Sequence, residues 1–157
     1  MPSILIVCTG NICRSPIAEA YLRQRLAQER IPGEWDIISA GTWAQDGLPA
    51  TESGVAVMRE RGLDTSRHRS RNADAALLAR VDLVLTMTDS HAKVLRAEFP
   101  SAAAKIFRLT EMAGPPYDIR DPYGGSLNDY RRTADELERQ IEQGLPRIVA
   151  AARQNSA

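Results

Sequence analysis

The chain contains four short segments rich in apolar residues, and between these segments apolar residues recur every three or four positions. These segments predict β-strands over residues 3–7, 35–39, 81–87 and 105–109. The first and third are mostly apolar and do not alternate with polar residues. That pattern is typical of strands covered on both faces of a parallel sheet.

The segments between the strands have the spacing and the end signals of helices. The first shows helical spacing over residues 18–26, with Pro16 in its first turn, where the missing N–H of proline costs nothing. Further helices are predicted over residues 50–61, 73–80 and 90–99.

A long last helix is expected to begin at a capping pair formed by Ser126 and Asp129. Seven apolar residues then recur at steps of three or four. Gly144 and Pro146 conflict with a straight helix, so we expect a kink or a break there. Residues 154–157 are expected to form a frayed tail.

Strands and helices alternate along the chain, without an internal repeat, a low-complexity stretch or an interdomain linker. This order predicts one α/β domain over residues 1–153, with a parallel sheet and helices on both of its faces. In such sheets, ligands bind at the carboxyl ends of strands, near a switch in strand order. The segment from Cys8 to Ser15 directly follows the first strand and takes that position.

Composition restricts the partners of the protein. The 157 residues carry 20 Lys plus Arg and 20 Asp plus Glu, so no overall basic field favours nucleic acid or an acidic membrane. No apolar run exceeds the five residues from Ile4 to Cys8, which is too short for a membrane span or a signal peptide. We therefore expect a cytoplasmic protein, in which two cysteines indicate a reactive thiol rather than a disulfide framework.

Cys8 begins a loop that leads to the start of the first predicted helix. Unpaired N–H groups at a helix N-terminus stabilise an anion such as a thiolate. Arg14 adds a permanent cation that can bind two phosphate oxygens at once, and Gly10 allows a backbone conformation that a side chain would forbid. The loop therefore indicates a thiolate nucleophile beside a bound oxyanion, although a cysteine is more commonly a small buried hydrophobic residue.

A thiolate that attacks phosphorus needs an acid that protonates the leaving oxygen. Asp121 is the best candidate, because it precedes Pro122 in a glycine-rich loop that can project a carboxyl group over a pocket. The resulting carboxylate could then activate the water that hydrolyses the thiophosphate intermediate. Asp-Pro is also a common start of a turn, so the catalytic interpretation depends on the cysteine loop.

The loop and the Asp-Pro pair resemble the two separated motifs of the low-molecular-weight protein tyrosine phosphatases. The family signature is Cys, five residues, Arg, then Ser or Thr near the N-terminus, and here it is Cys8-Thr9-Gly10-Asn11-Ile12-Cys13-Arg14-Ser15. The likeness covers nearly the whole chain. It implies a phosphotyrosine phosphatase I-like fold with a four-stranded parallel sheet, and a mechanism that uses neither a metal nor a cofactor.

The resemblance also implies the roles of the central residues. Cys8 would be the nucleophile, Arg14 the group that binds phosphate and the transition state, and Asp121 the general acid. The other phosphate-binding residues of the loop would be Thr9, Gly10, Asn11, Ile12, Cys13 and Ser15. Ser15 would in addition donate a hydrogen bond to the thiolate.

Supporting roles follow from the same resemblance. Asn11, Ser39 and His68 would form the polar network that holds the phosphate loop in shape. Cys13 would form a reversible disulfide with the nucleophile under oxidation, in keeping with the reactivity of an exposed thiolate. His91, near a predicted helix start, has no assigned role.

The identity of the substrate is a second question. Bacterial protein arginine phosphatases share the fold and resemble the loop, but they carry Thr at the position of Ile12. Isoleucine cannot hydrogen-bond and should disfavour a guanidino phosphate, whereas Trp43 and Tyr123 could flank the ring of an aryl phosphate. We therefore expect a protein tyrosine phosphatase that acts on phosphorylated proteins or aryl phosphates as a monomer or weak dimer, with protein arginine phosphatase as the alternative.

Two further functions fit less well. Arsenate reduction on this fold needs additional cysteines that carry the disulfide onward, and the chain has only Cys8 and Cys13. A non-catalytic phosphate-binding module would be indicated by loss of the cysteine, the arginine or the aspartate. All three are present.

Overall fold

Four parallel strands form the sheet, with the apolar N-terminal segment at its centre. In a computed structural model that describes residues 1–156, the strands are β1 (Ser3–Cys8), β2 (Asp36–Gly41), β3 (Leu83–Thr86) and β4 (Ile106–Arg108). Their order is β2-β1-β3-β4, and each neighbouring pair is parallel. The predicted four-stranded parallel sheet is thus confirmed.

Six α-helices connect and follow the strands. They are α1 (Arg14–Gln28), α2 (Glu52–Glu60), α3 (Ala75–Arg80), α4 (Asp89–Glu98), α5 (Leu109–Ala113) and α6 (Leu127–Ser156), and a 3₁₀-helix at Pro100–Lys105 precedes β4. The short helix α5 was not predicted, because five residues are too few to show a helical period. Within residues 1–156, no helix has both the length and the apolar character that a membrane crossing requires.

Helices cover both faces of the sheet because the side chains of β1 alternate between them. Ile4 and Ile6 belong to a core cluster with residues of α1, α2 and α6. Leu5 and Val7 belong to a second cluster with residues of α3 and α4. All six residues of β1 are buried, which explains why its sequence lacks a polar face.

The last helix is continuous where the sequence predicts an interruption. α6 passes through both Gly144 and Pro146. A Cβ at Gly144 would lie 2.9 Å from the Cβ of Met112 in α5, so this glycine permits a close contact between the two helices. Pro146 removes one backbone hydrogen bond, but buried residues on either side of it hold α6 against the core. The predicted break is therefore wrong, whereas the kink expected as its alternative stays a prediction.

The two ends of α6 differ in how well the sequence predicts them. The Ser126 N–H donates to Asp129 Oδ2 at 2.9 Å and the Asp129 N–H donates to Ser126 Oγ at 3.2 Å, so the predicted capping pair is present. At the other end, residues 154–156 are helical rather than irregular, and the Asn155 side chain donates to the carbonyl of Asp82 at 2.9 Å. The fraying expected over residues 154–157 stays a prediction, and Ala157 lies outside the described residues.

Candidate active site

The loop after β1 lies where the strand order changes direction. β1 pairs with β2 on one side and with β3 on the other. Cys8 is the last residue of β1, and Arg14 is the first residue of α1. Residues 9–13 therefore form a loop at the carboxyl edge of the sheet, where open parallel sheets bind their ligands.

Cys8 lines an open depression of about 650 Å³, and only 2% of its surface is exposed. Its Sγ lies 3.0 Å from Ser15 Oγ, which belongs to the first turn of α1. A hydroxyl at this distance can donate to a thiolate. Cys8 and Cys13 are both free thiols.

Asn11 fixes the curvature of the loop through a left-handed backbone conformation. Its φ is 59°, a region that residues other than glycine rarely adopt. The buried side chain stabilises this conformation: Nδ2 donates to Ser15 Oγ at 2.8 Å and to Ser39 Oγ at 3.0 Å. Asn11 Oδ1 accepts from the Arg71 N–H at 2.9 Å. Ser39 is thus part of the network around the loop.

The glycine that this loop requires is Gly41 rather than Gly10. Gly10 has no positive φ, and a Cβ there would meet only Ile12 Cγ1 at 3.7 Å, an ordinary contact. The expectation that a side chain is forbidden at Gly10 is therefore wrong. At Gly41, the last residue of β2, a Cβ would lie 2.3 Å from the carbonyl oxygen of Thr9 and 3.1 Å from the nitrogen of Asn11.

The carbonyl groups of the loop accept hydrogen bonds from other segments of the chain. The carbonyls of Cys8, Thr9 and Ile12 accept from the N–H groups of Thr42, Trp43 and Thr51, respectively. His68 Nε2 donates to the carbonyl of Asn11. The N–H groups of residues 9–13, in contrast, donate to no backbone carbonyl within residues 1–156. A run of unpaired N–H groups of this kind favours an anion.

Arg14 is anchored at both ends of its guanidinium group. The side chain is buried, Nη1 donates to the carbonyl of Ile119 at 2.8 Å, and Nη2 lies 3.4 Å from Thr9 Oγ1 and 3.5 Å from Asp121 Oδ2. Its Nε is buried and has no hydrogen-bond partner among the described residues. Because an unsatisfied buried donor is costly, an oxyanion in the depression would be a favourable acceptor.

Asp121 lies in the segment between α5 and α6 and lines the same depression as Cys8. Its side chain is 46% exposed, and Oδ2 contacts Arg14. Oδ1 accepts from the Tyr123 N–H at 3.0 Å. A partly exposed carboxyl group beside the phosphate-binding arginine can exchange protons both with a substrate and with water.

Aromatic and apolar side chains complete the depression. Trp43 is 86% exposed and Tyr123 is 67% exposed, and both line the depression together with Ile12 and Leu48. Ile12 also packs against the core. The structure therefore brings the three residues expected to contact the substrate to the same depression as Cys8.

Cys13 differs from Cys8 in its surroundings. It is buried, and its Sγ lies 3.5 Å from the hydroxyl of Tyr130 in α6. Burial is the main cause that raises the pKa of Cys13 to about 11. Cys13 is therefore protonated at neutral pH, and its thiol is a poor nucleophile in the resting protein.

His91 lies beside the loop, although the sequence assigned it no role. It is buried in the first turn of α4, its Nε2 lies 2.8 Å from Thr9 Oγ1, and its Nδ1 accepts from the Thr88 N–H at 3.2 Å. Burial and the charge of Arg14 lower the pKa of His91 to about 4, against the opposing effect of two nearby carboxylates. Thr9 and His91 are 82 residues apart, so no local pattern could reveal the contact.

We expect His91 to make the stability of the protein depend on pH. The pKa of His91 is about 4 in the folded state and 6.5 without perturbation, so between these values the unfolded chain binds more protons. The free energy of unfolding should therefore fall as the pH decreases from about 6.5 to about 4, by at most about 3 kcal/mol from this residue. His91→Gln should lose this part of the dependence. Urea unfolding of both proteins across this pH range measures it, and identical pH profiles would contradict the assignment.

Comparison with known proteins identifies the family. The family model for low molecular weight phosphotyrosine protein phosphatase matches residues 3–155 of the chain. The chain belongs to this family. As a low-molecular-weight phosphatase it is a hydrolase, and its fold is the one that the cysteine loop implied.

Relatives that are named for two different substrates have similar sequence identities to this phosphatase. The chain is 40% identical to the probable low molecular weight protein-tyrosine-phosphatase EpsP of Ralstonia nicotianae, over 94% of this chain and 97% of the relative. It is 38% identical to the protein-arginine-phosphatase of Geobacillus stearothermophilus, over 88% and 90%. A crystal structure of the low molecular weight protein tyrosine phosphatase from T. tengcongensis matches with a TM-score of 0.87 and 38% identity, over 94% of this chain and 99% of that one.

Proposed function

We propose that this phosphatase hydrolyses phosphotyrosine in proteins through a phosphocysteine intermediate. Cys8 is the nucleophile, Arg14 binds the phosphoryl group, and Asp121 is the acid and then the base. The main support is that Cys8 lines one depression together with Arg14 and residues of the loop. The N–H groups of residues 9–13 donate to no backbone carbonyl, and the Nε of Arg14 has no hydrogen-bond partner, among the residues that the structure describes. A phosphate ester in the depression would accept hydrogen bonds from these donors.

In the first step, the Cys8 thiolate attacks phosphorus. An S–P bond forms, and the P–O bond to the tyrosine breaks. Protonated Asp121 transfers its proton to the phenolic oxygen, so that tyrosine leaves as a neutral phenol. Arg14 and the loop N–H groups stabilise the charge on the three other phosphoryl oxygens.

In the second step, water attacks the phosphorus of phosphocysteine. Asp121, now a carboxylate, takes a proton from this water, the S–P bond breaks, and inorganic phosphate leaves. Cys8 becomes a thiolate again, where Ser15 Oγ at 3.0 Å can donate to it. Asp121 is then protonated for the next cycle, and one water is consumed without any redox change.

The preference for phosphotyrosine rests on the walls of the depression. Overall similarity does not decide it, because the tyrosine and arginine phosphatases compared above are 40% and 38% identical to the chain. Ile12 contributes an apolar side chain to the depression, whereas the N–H groups of a guanidino phosphate would require a hydrogen-bond acceptor there. Trp43 and Tyr123 are exposed at the depression and can pack against an aromatic ring.

A paired assay tests this preference directly. Wild-type protein should hydrolyse a phosphotyrosine peptide with a kcat/KM at least about tenfold higher than that for a phosphoarginine peptide of otherwise identical sequence. Ile12→Thr should shift the ratio toward phosphoarginine by about tenfold, because it supplies a hydroxyl beside the substrate. Phosphate release gives both rates.

Ile12→Val is the matched control, because valine has the shape of threonine without the hydroxyl. It should change the ratio much less than Ile12→Thr. An unchanged ratio in Ile12→Thr would remove the role of this contact in selectivity. Preference of the wild-type protein for phosphoarginine would instead establish the alternative function, protein arginine phosphatase.

Three other expectations remain predictions. The reversible disulfide between Cys8 and Cys13 follows from the family resemblance, and both residues are free thiols in the structure. The cytoplasmic location and the monomeric or weakly dimeric state follow from the sequence and the resemblance. The disulfide would interrupt the first step, because it removes the nucleophile.

A further inference from the structure

We infer that His91 is a positioning residue for phosphate binding: through the hydroxyl of Thr9 it holds the Nη2 end of Arg14. This role rests on the proposed function, because Arg14 is the group proposed to bind the phosphoryl oxygens. Two consecutive contacts, from His91 to Thr9 and from Thr9 to Arg14, connect α4 to the first residue of α1 in this way. Neither contact takes part in the two chemical steps described above.

The imidazole ring of His91 is fixed from two sides. The Thr88 N–H donates to Nδ1 at 3.2 Å, so Nδ1 is the acceptor nitrogen. In the neutral ring the proton then lies on Nε2, which donates to Thr9 Oγ1 at 2.8 Å. His91 is only 5% exposed and its pKa is lowered, so its ring stays neutral in the pH range where the phosphatase would be assayed.

The Thr9 hydroxyl transmits this constraint to Arg14. Its oxygen accepts from His91 Nε2 at 2.8 Å and from Arg14 Nη2 at 3.4 Å, so both of its acceptor positions are used. At the other end of the guanidinium group, the carbonyl of Ile119 binds Nη1 at 2.8 Å. Anchoring both terminal nitrogens fixes the plane of the guanidinium group. It leaves Nε, which has no hydrogen-bond partner within residues 1–156, available to the ligand.

Capping of α4 does not by itself explain why residue 91 is a histidine. His91 and Thr88 form a capping box, in which the Thr88 hydroxyl also accepts from the His91 N–H at 3.3 Å. Gln or Glu is the usual residue at this position of a capping box. The contact from Nε2 to Thr9 is not part of the cap. It requires a side chain that accepts a hydrogen bond in the cap and donates another from its opposite end, as the imidazole ring does.

A double-mutant cycle between His91→Gln and Thr9→Val tests the connection. Gln can keep the cap, and Val removes the hydroxyl that links the ring to Arg14. Each single variant should lower kcat/KM for para-nitrophenyl phosphate by about tenfold and weaken the affinity for orthovanadate by a similar factor. The double variant should be about tenfold impaired rather than hundredfold, because both substitutions break one chain of contacts. Additive losses would overturn the inference.

Asp74→Ala is the control for a general loss of stability. Asp74 caps α3 by accepting from the Leu77 N–H at 2.8 Å, and it lies outside the depression lined by Cys8. This variant should lower the midpoint of thermal unfolding without weakening vanadate binding. An equal loss of vanadate affinity in Asp74→Ala and His91→Gln would overturn a specific role for His91.

Nitrogen-15 NMR of the histidine side chains gives a readout that does not depend on turnover. At neutral pH, the His91 ring of the wild-type protein should have a protonated Nε2 and an unprotonated Nδ1. Its signals should be absent in His91→Gln and shifted in Thr9→Val, which distinguishes them from those of His68. A proton on Nδ1, or an imidazolium, would overturn the inference even if His91→Gln failed to fold. A wild-type protein that binds vanadate but hydrolyses no phosphate ester would contradict the proposed function, and the NMR and vanadate results would still decide the role of His91.

Discussion

Replacing Cys8 with serine should abolish the turnover of para-nitrophenyl phosphate, lowering kcat by at least about four orders of magnitude. A serine hydroxyl keeps its proton at neutral pH, and the two histidines near the loop are not placed to remove it. His68 Nε2 donates to the carbonyl of Asn11, and His91 Nε2 donates to Thr9 Oγ1. The loss should therefore come from the missing thiolate and not from a missing binding site.

The same variant provides its own control. Serine is close to cysteine in size and can keep the contact with Ser15, so the midpoint of thermal unfolding should stay close to that of the wild-type protein. Inorganic phosphate should still bind, because Arg14 and the N–H groups of residues 9–13 are unchanged. Turnover by Cys8→Ser at a substantial fraction of the wild-type rate would remove Cys8 from the mechanism.

Replacing Asp121 with alanine should produce the second largest loss, with kcat lowered by roughly two to three orders of magnitude. Without this acid the leaving oxygen must depart as an anion, so the effect should depend on the leaving group. It should be larger for phenyl phosphate than for para-nitrophenyl phosphate, because para-nitrophenolate is the more stable anion. A comparison of kcat/KM for the two esters measures this dependence, because kcat/KM reports the step in which the leaving group departs, whereas kcat also includes the hydrolysis of phosphocysteine that both esters share.

Asp118→Ala is the charge-matched control for Asp121→Ala. Asp118 lies three residues earlier and binds Arg108 at 3.3 Å and the Asp89 N–H at 2.9 Å. It should leave kcat within about twofold of the wild-type value if only the general electrostatic field changes, since exposed charges are strongly screened. An equal loss in both variants, or a loss that is the same for both esters, would place the acid elsewhere.

Local signals explain why so much of the site could be predicted from the sequence. β1 is an unbroken apolar run, and Cys8 and Arg14 stand at the two ends of one short loop, so their proximity follows from the chain itself. Asp121 was predicted from a chemical requirement, and the structure places it in contact with Arg14. Each of these predictions needs only the identity of a few neighbouring residues or the requirement of the reaction for an acid.

Contacts between distant segments could not be predicted in this way. The link from His91 to Thr9 and the carbonyl of Ile119 that binds Arg14 depend on how the segments meet in space. A backbone conformation forbidden to a side chain was expected at Gly10, but the residue with a positive φ is Asn11, where side-chain hydrogen bonds compensate for the strain. The continuous course of α6 through Pro146 likewise reflects packing against the core, which outweighs the local preference of proline.

The hydrogen bonds that hold the loop and Arg14 come from segments that are far apart in the sequence. Thr51, His68, His91 and Ile119 reach the loop from four separate parts of the chain. A nascent polypeptide that ends before Ile119 already contains Cys8 and Arg14, but it lacks the carbonyl that orients the arginine. We therefore expect the phosphate-binding site to be completed only once the chain extends beyond Ile119.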